Sequence, residues 1–346
     1  MNAMRENTVW TLSWPHGEAE VQSLGGMLAP VTFTLDDGRP FQPMHVAPWA
    51  NDPSPARSSA HEAATARLPG ILQRLRGEWP CVPFGRDDRP RDLPSDWHAP
   101  AASAREDKKW GHGYGAHHHW HLVDQSAGRL HIAIDYPAVS AIRRLEREII
   151  AVPGRPALDI ILTIFARRAA TLPVALHPVF RLPKAPGGVI LEQLDYECAL
   201  IYPVPAEPGT SRLEPGAVAI DLGAMPGLDG PLNLTRLPLP FATEELLQLR
   251  DCRAPIVLHY LEERAHVGLW WDQRQLPDVM LWLSNGGRKA EPWGGRHYAL
   301  GVEPVNGAFD LGQVAMPPAG HPLSQQHGLA LSPDQPRTIQ AQLAAW

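Results

Sequence analysis

A single carboxylate, Glu303, lies in a stretch that otherwise has the pattern of a buried β-strand. Large residues at positions 298, 300 and 302 alternate with Ala299 and Gly301, so a strand would place Glu303 on the face that carries the small side chains. The small residues leave room beside the carboxylate for a ligand or another backbone. Partial removal from water raises the pKa of a carboxyl group, which suits a general base. An ion pair with a neighbour such as Arg296 is the alternative interpretation.

A histidine lies in a second segment of the same design. In residues 172–182, positions 174 and 176 face one side, while Ala175 and His177 face the other, and Pro178 interrupts the strand. A lone histidine on a strand is more often structural than catalytic. Two strands that offer a carboxylate and an imidazole can, however, form an acid and base pair.

Five of the sixteen histidines lie between residues 112 and 121. If residues 117–121 form a strand, His117, His119 and His121 share one face, where three imidazoles could meet a metal ion. Alternate residues of a strand are roughly 6.6 Å apart, however, and a compact tetrahedral site recruits ligands from several elements. We therefore predict no metal at this cluster, and expect one or two of its histidines to contact a ligand.

The rest of the chain favours β-structure. Short apolar or alternating segments, separated by clusters of Pro, Gly, Asn and Asp, recur at residues 31–35, 130–134, 157–164, 218–222 and 279–283. The 37 prolines and 29 glycines suit turns rather than long helices. The best helical segments are residues 58–76 and 244–251. Because we find no linker and no repeat, the sequence predicts an all-β antiparallel sandwich that forms a single domain over residues 1–346.

Composition restricts the class of partner. The net charge of −6 and the lack of a long basic run argue against nucleic-acid binding. The three cysteines, Cys81, Cys198 and Cys252, are too few and too scattered for a disulfide framework. Neither an export signal nor a bilayer-length apolar run is present, so we predict a cytoplasmic protein, monomeric or homodimeric, that does not bind membranes.

Four segments resemble motifs of the aldose 1-epimerase, or galactose mutarotase-like, superfamily, and they occur in the family's order. Residues 176–182 resemble its H-x-Y-F-x-L strand, and residues 301–304 resemble its late L-E-P/Q strand. Residues 77–86 resemble the early P-x-x-P-F-x-x-R strand with one residue fewer before the arginine, and residues 112–120 resemble H-G-F-A-R followed by tryptophan. The four matches run from about residue 77 to residue 310, which is most of the chain.

The resemblance implies a large antiparallel β-sandwich that binds a small sugar and interconverts its anomers without a cofactor or metal. On the matching positions it implies that His177 is the general acid at the ring oxygen and Glu303 the base at the anomeric hydroxyl. It also implies that His112 and Arg86 bind the sugar. Ala116 stands where the motif arginine would be, and the family's sugar-binding aspartate has no clear counterpart, so the identity of the sugar stays open.

Further residues are candidates for contact with a sugar. Trp120, Trp282 and Trp293 could stack against a pyranose face, although most tryptophans of a sandwich belong to its core. Arg296 and Arg288 could enter the cleft. Because the chain is acidic and the motif arginine is missing, we expect neutral aldoses to be preferred over their 6-phosphates.

Two alternatives remain at the level of sequence. A glycoside hydrolase or lyase of the same fold would need a second carboxylate near Glu303, for which Asp272, Asp278 and Asp310 are available. A non-catalytic carbohydrate-binding protein would keep the cleft without turnover.

Overall fold

The computed structural model describes residues 7–50, 68–100, 110–192 and 194–346. The strands of the first half are β1 (Val9–Trp14), β2 (Gly17–Gln22), β3 (Leu28–Thr34), β4 (Pro40–Phe41), β5 (Pro80–Cys81), β6 (His121–Ser126), β7 (Arg129–Asp135), β8 (Ile142–Ala151), β9 (Ala157–Ala166), β10 (Ala170–Leu172), β11 (Val174–Leu176) and β12 (Val179–Arg181). Those of the second half are β13 (Val189–Glu192), β14 (Cys198–Ile201), β15 (Val218–Ala219), β16 (Arg236–Leu237), β17 (Thr243–Arg250), β18 (Ile256–Tyr260), β19 (Ala265–Trp271), β20 (Asp278–Asn285), β21 (Tyr298–Asn306), β22 (Leu329–Leu331) and β23 (Arg337–Ala345). Helical structure in these ranges is limited to one turn, Gly70–Gln73, and to the 3₁₀ segments Tyr114–Ala116, Leu222–Ala224 and Phe309–Leu311.

Two large antiparallel sheets dominate the fold. The eight-stranded sheet has the order β15-β14-β17-β20-β21-β11-β5, and β12 also pairs with β21. The nine-stranded sheet has the order β16-β13-β18-β19-β23-β9-β8-β7-β6. Strands β1 to β4 form a smaller sheet, and β10 pairs with β22. The predicted all-β antiparallel sandwich is thereby confirmed.

The alternation of residues along each strand explains why the eight-stranded sheet is covered on both faces. In β20, Val279, Leu281 and Leu283 belong to the core that the two large sheets share. Met280 and Trp282 belong to a second apolar cluster on the opposite face of the sheet. A period of two sends successive side chains to opposite faces, so this second face can carry a site while the first holds the sandwich together.

The predicted helix over residues 244–251 is wrong, because this segment lies in β17. Leu247 and Leu249 enter the sandwich core, and Glu244 and Glu245 are buried as well. Pairing with β20 along almost the whole strand overrides the helical preference of the local sequence. Of the other predicted helix, residues 58–67 lie outside the described ranges, and from residue 68 to 76 only Gly70–Gln73 is helical.

Most of the predicted strand segments lie in observed strands. Residues 31–35, 130–134, 157–164 and 279–283 fall in or overlap β3, β7, β9 and β20. The segment 218–222 is shorter than predicted, since β15 ends at Ala219 and a 3₁₀ turn follows. Cys81, Cys198 and Cys252 are free and buried. Within the described ranges, no helix is long and apolar enough to cross a bilayer.

Candidate active site

Glu303 lies on β21 with the orientation that the sequence predicted. Leu300 and Val302 enter the sandwich core, while Glu303 faces the other side of the sheet and is 3% exposed. Its carboxylate occupies the space above Gly301, where an added β-carbon would lie 2.5 Å from Glu303 Oε1. The nearest ionic partner of Glu303 is His177 and not Arg296.

His177 lies at a break between two short strands. β11 ends just before it, and β12 begins after Pro178. The backbone N–H of His177 donates to the carbonyl oxygen of Trp79 at 3.0 Å, and its imidazole stacks on the indole of Trp79 with ring centroids 4.1 Å apart. The ring edge of His112 closes a third side at 5.3 Å. The imidazole is therefore held in one orientation towards β21.

His177 and Glu303 form a buried pair, with His177 Nε2 3.3 Å from Glu303 Oε1. Burial raises the pKa of Glu303 well above its ordinary 4.5, and the nearby charge of Asp310 raises it further. Burial also lowers the pKa of His177 well below its ordinary 6.5. Attraction within the pair would act in the opposite sense, but desolvation dominates for two groups so fully removed from water. Both shifts favour the uncharged forms of the pair, a neutral imidazole and a carboxylic acid.

The pair lies in the wall of a cavity of about 340 Å³, within the size range of small-molecule sites. Five of the residues that the sequence singled out as possible sugar contacts line the same cavity: Arg86, His112, Trp282, Arg288 and Trp293. Burial lowers the pKa of His112 to about 3, so this imidazole is neutral near pH 7. The structure therefore brings predicted site residues from both halves of the chain into one cavity.

Arg86 is surrounded by acidic groups. Its guanidinium donates from Nε and from a terminal nitrogen to Asp88 Oδ1 at 3.0 and 2.9 Å. Asp310, in the 3₁₀ turn after β21, also lines the cavity. Its backbone carbonyl oxygen accepts a hydrogen bond from the backbone N–H of Arg86 at 2.7 Å. Burial raises the pKa of Asp310, and the charge of Arg86 opposes this rise. Asp310 thus places a second carboxylate in the cavity of Glu303.

Sequence reasoning missed Glu244, which contacts two residues of the cavity wall, Trp282 and Arg288. Glu244 is fully buried and accepts from Trp282 Nε1 at 2.7 Å and from the Ser284 hydroxyl at 3.0 Å. Arg288 Nε lies 3.2 Å from Glu244 Oε1, and the Arg288 guanidinium lies 4.7 Å from the ring centre of Trp293. Burial raises the pKa of Glu244, and Arg288 opposes this. Only residues 247–250, Leu-Gln-Leu-Arg, alternate between apolar and polar side chains, so the local sequence gives little sign that Glu244 lies on a strand.

Comparisons with known proteins identify the architecture. No family model matches the chain, and no curated protein is similar to it in sequence. Solved structures match over almost the full length. A candidate aldose 1-epimerase from Escherichia coli K12 has a TM-score of 0.63 and 16% identity, with 98% of this chain and 99% of that one covered. The aldose epimerase homologue from C. elegans has a TM-score of 0.59 and 12% identity, with 98% of this chain and 99% of that one covered. A galactose mutarotase-like protein from Lactobacillus casei has a TM-score of 0.57 and 15% identity, with 98% of this chain and 100% of that one covered.

The chain has the galactose mutarotase-like fold. At this level of identity the likeness establishes the fold and leaves the reaction to be argued from the site. The predicted resemblance to galactose mutarotase-like proteins is confirmed at the level of the fold.

Two residues that the sequence proposed as sugar contacts lie elsewhere in the galactose mutarotase-like fold. Trp120 is in the sandwich core, where its Nε1 donates to the carbonyl oxygen of Gly115 at 3.0 Å. Arg296 is exposed at a turn before β21 and does not line the cavity of Glu303.

Residues 117–121 of the histidine cluster do not form one strand. A 3₁₀ turn ends at Ala116, and β6 begins only at His121. The imidazoles consequently have separate environments: His117 Nε2 lies 2.7 Å from the Gly111 carbonyl oxygen, His118 stacks on Tyr114 at 3.6 Å, and His119 Nδ1 lies 3.0 Å from the Ser23 hydroxyl. His112 and His117 line the cavity. Among the described residues, this cluster does not present three metal ligands to one point.

Proposed function

We propose that this protein is an aldose 1-epimerase that interconverts the α and β anomers of a free aldose. The observation that carries the proposal is the contact between His177 Nε2 and Glu303 Oε1, 3.3 Å apart, in the wall of a sugar-sized cavity. The names of the similar structures, aldose epimerases and galactose mutarotase-like proteins, support the same reaction.

The reaction requires one proton donor and one acceptor close together. The anomeric oxygen O1 and the ring oxygen O5 of a pyranose are both bonded to C1. Glu303 removes the proton from O1 while His177 delivers a proton to O5, so the C1–O5 bond breaks and a free aldehyde forms. Rotation about C1–C2 and closure with the two roles reversed give the other anomer. No electrons are gained or lost, so no redox cofactor is required.

His177 and Glu303 together hold the one proton that this cycle needs. Catalysis needs a carboxylate and an imidazolium, and the uncharged forms that burial favours, a carboxylic acid and an imidazole, hold the same total of one proton. A single transfer within the pair of His177 and Glu303 converts one form into the other. Sugar hydroxyls that hydrogen bond to the charged form would favour it, because they replace part of the solvation lost on burial. The pair can therefore be activated by the substrate itself.

Other cavity residues are proposed to hold the sugar. The neutral imidazole of His112 and the guanidinium of Arg86 can hydrogen bond to hydroxyls and to the developing charge on O5. Asp310 offers a carboxylate to sugar hydroxyls and takes the place of the aspartate that the sequence motifs did not reveal. Trp282 and Trp293 form a mostly apolar wall against which a pyranose face can pack.

The charge of the cavity supports a neutral substrate. Arg86 already contacts Asp88, and Arg288 already contacts Glu244, so neither cation is spare for a phosphate dianion. We expect glucose or galactose to be turned over faster than the corresponding 6-phosphates. Anomer exchange measured for all four sugars at equal concentration checks this, and a 6-phosphate turned over more than about tenfold faster than its parent would contradict it.

The function is tested by exchange NMR on a panel of free aldoses, with and without the protein. The wild type should accelerate exchange between anomers of at least one sugar, and His177→Asn should lose that acceleration. Sugar binding without acceleration would favour the carbohydrate-binding alternative. Because Asp310 and Glu303 share one cavity, aryl glycosides belong in the panel, and their hydrolysis would favour a glycoside hydrolase.

A further inference from the structure

Three metal-ligating side chains meet on the outer face of the nine-stranded sheet. Glu192 ends β13, His259 lies on β18 and His266 lies on β19, and the two histidines are directly opposite each other in the register. The residue that precedes each of the three in the chain belongs to the sandwich core, so all three side chains point outwards. The exposed fraction of the side chain is 35% for Glu192, 26% for His259 and 27% for His266.

The donor atoms have spacings that suit one ion. Glu192 Oε1 lies 3.2 Å from His259 Nδ1, and Glu192 Oε2 lies 3.7 Å from His266 Nε2. One donor atom from each side chain can be chosen so that all three lie within 4.8 Å of one another. Ligand bonds of about 2.1 Å in a tetrahedral site place neighbouring donors about 3.4 Å apart, and the two measured contacts lie on either side of this value.

We propose that Glu192, His259 and His266 bind a divalent transition-metal ion, zinc in particular, with water as the fourth ligand. Two imidazoles and one carboxylate form a donor set that zinc accepts in tetrahedral geometry. Magnesium and calcium prefer oxygen donors throughout and are not expected here.

A simple ion pair does not account for the second imidazole. The rings of His259 and His266 stack with centroids 4.0 Å apart, an arrangement in which two protonated rings would repel each other. His131 and Glu146 offer a contrast on the same sheet, since their Nε2 to Oε2 distance is also 3.2 Å but only one imidazole is present.

The ion would have a structural role. It would link three neighbouring strands, and it would also restrain the C-terminal Trp346, whose ring lies parallel to that of His266 at 5.4 Å. Glu303 lies on the far side of the sandwich, beyond both the nine-stranded sheet and the core. Zinc should therefore raise thermal stability and leave anomer exchange unchanged.

The test uses untagged full-length protein that has been stripped with a chelator and dialysed. Calorimetric titration with zinc should show one saturable site in the wild type. His259→Ala and His266→Ala should weaken that site by at least ~100-fold, since even outer-shell partners of metal ligands are worth about 10- to 100-fold in affinity. His131→Ala is the matched control and should bind zinc like the wild type. Zinc should raise the melting temperature of the wild type and of His131→Ala only.

A second measurement does not depend on the variants. Cobalt(II) added to the stripped wild type should give the intense visible bands of a tetrahedral complex, and zinc should abolish them. The proposal is wrong if the wild type has no saturable zinc site, if the cobalt spectrum is that of the hydrated ion, or if His259→Ala and His266→Ala bind zinc as tightly as the wild type. Circular dichroism of each variant shows whether its fold is retained.

Discussion

Replacing Glu303 with glutamine separates the chemical role of this residue from its structural one. Glutamine has almost the same shape, so it can keep the space above Gly301 and the contact with His177, but it cannot accept the O1 proton. A positioned general base contributes about 10²- to 10⁴-fold, so exchange should slow by that factor, which corresponds to about 2.7–5.4 kcal/mol of barrier. The loss should appear in kcat with little change in KM, because sugar binding does not depend on proton transfer.

The same substitution should not destabilise the fold. The folded-state pKa of Glu303 lies well above 4.5, so the folded chain holds this proton more tightly than the unfolded chain does. Stability is then lost as the pH rises from about 4.5 through the folded-state pKa, and glutamine avoids that loss. At pH 7 the variant should melt at or above the temperature of the wild type.

Exchange NMR on the most active aldose measures the rate, and thermal melts measure stability. Glu146→Gln is the matched control, because Glu146 also pairs with a histidine, His131, but on the outer face of the other large sheet. It should keep full activity. Activity of Glu303→Gln within about threefold of the wild type would refute the assignment of the base, since a lost general base costs about 100-fold or more. A fall in activity accompanied by a lower melting temperature would show that Glu303 acts through the fold instead.

Further tests are available at Gly301, which lies beside Glu303, at Asp310 in the cavity wall, and at the buried His45, which does not line the cavity. Gly301→Ala places a β-carbon 2.5 Å from Glu303 Oε1, so the carboxylate must move. Steady-state exchange rates should therefore fall by roughly 100-fold. An unchanged rate would show that the position of the carboxylate is not critical. Asp310→Asn should raise KM for the sugar and lower kcat/KM by about 10- to 100-fold, because a hydrogen bond to a charged group contributes a free energy of that size. Saturation kinetics with an unchanged KM would exclude Asp310 from sugar binding. Burial lowers the pKa of His45 from 6.5 to about 4, so the unfolded chain takes up this proton first as the pH falls. The free energy of unfolding should therefore fall by about 2 kcal/mol between a pH above 6.5 and pH 5 because of this residue. Denaturant titrations at the two pH values should show a smaller decrease for His45→Gln than for the wild type. Equal pH dependence of the two proteins would contradict this.

The sequence by itself determined the fold class and the faces on which the reactive residues lie. A period of two is a local property, so the alternation around Glu303 and His177 was sufficient to place each on the face with small side chains. Pro178 marked the break after His177 because proline cannot continue a strand ladder. The motif order then predicted the galactose mutarotase-like fold before any contact was known.

Only the tertiary structure decided which of these residues meet. Local pattern does not specify strand pairing, and the 3.3 Å contact of His177 with Glu303 depends on both β11 and β12 pairing with β21. Glu244 was assigned to a helix because its neighbours favour one, and the pairing of β17 with β20 outweighed that preference. Trp120 carried the same chemical signal as Trp282, yet one packs in the sandwich core and the other lines the cavity. An indole is suited to either place, and the packing of distant strands determines which one it occupies.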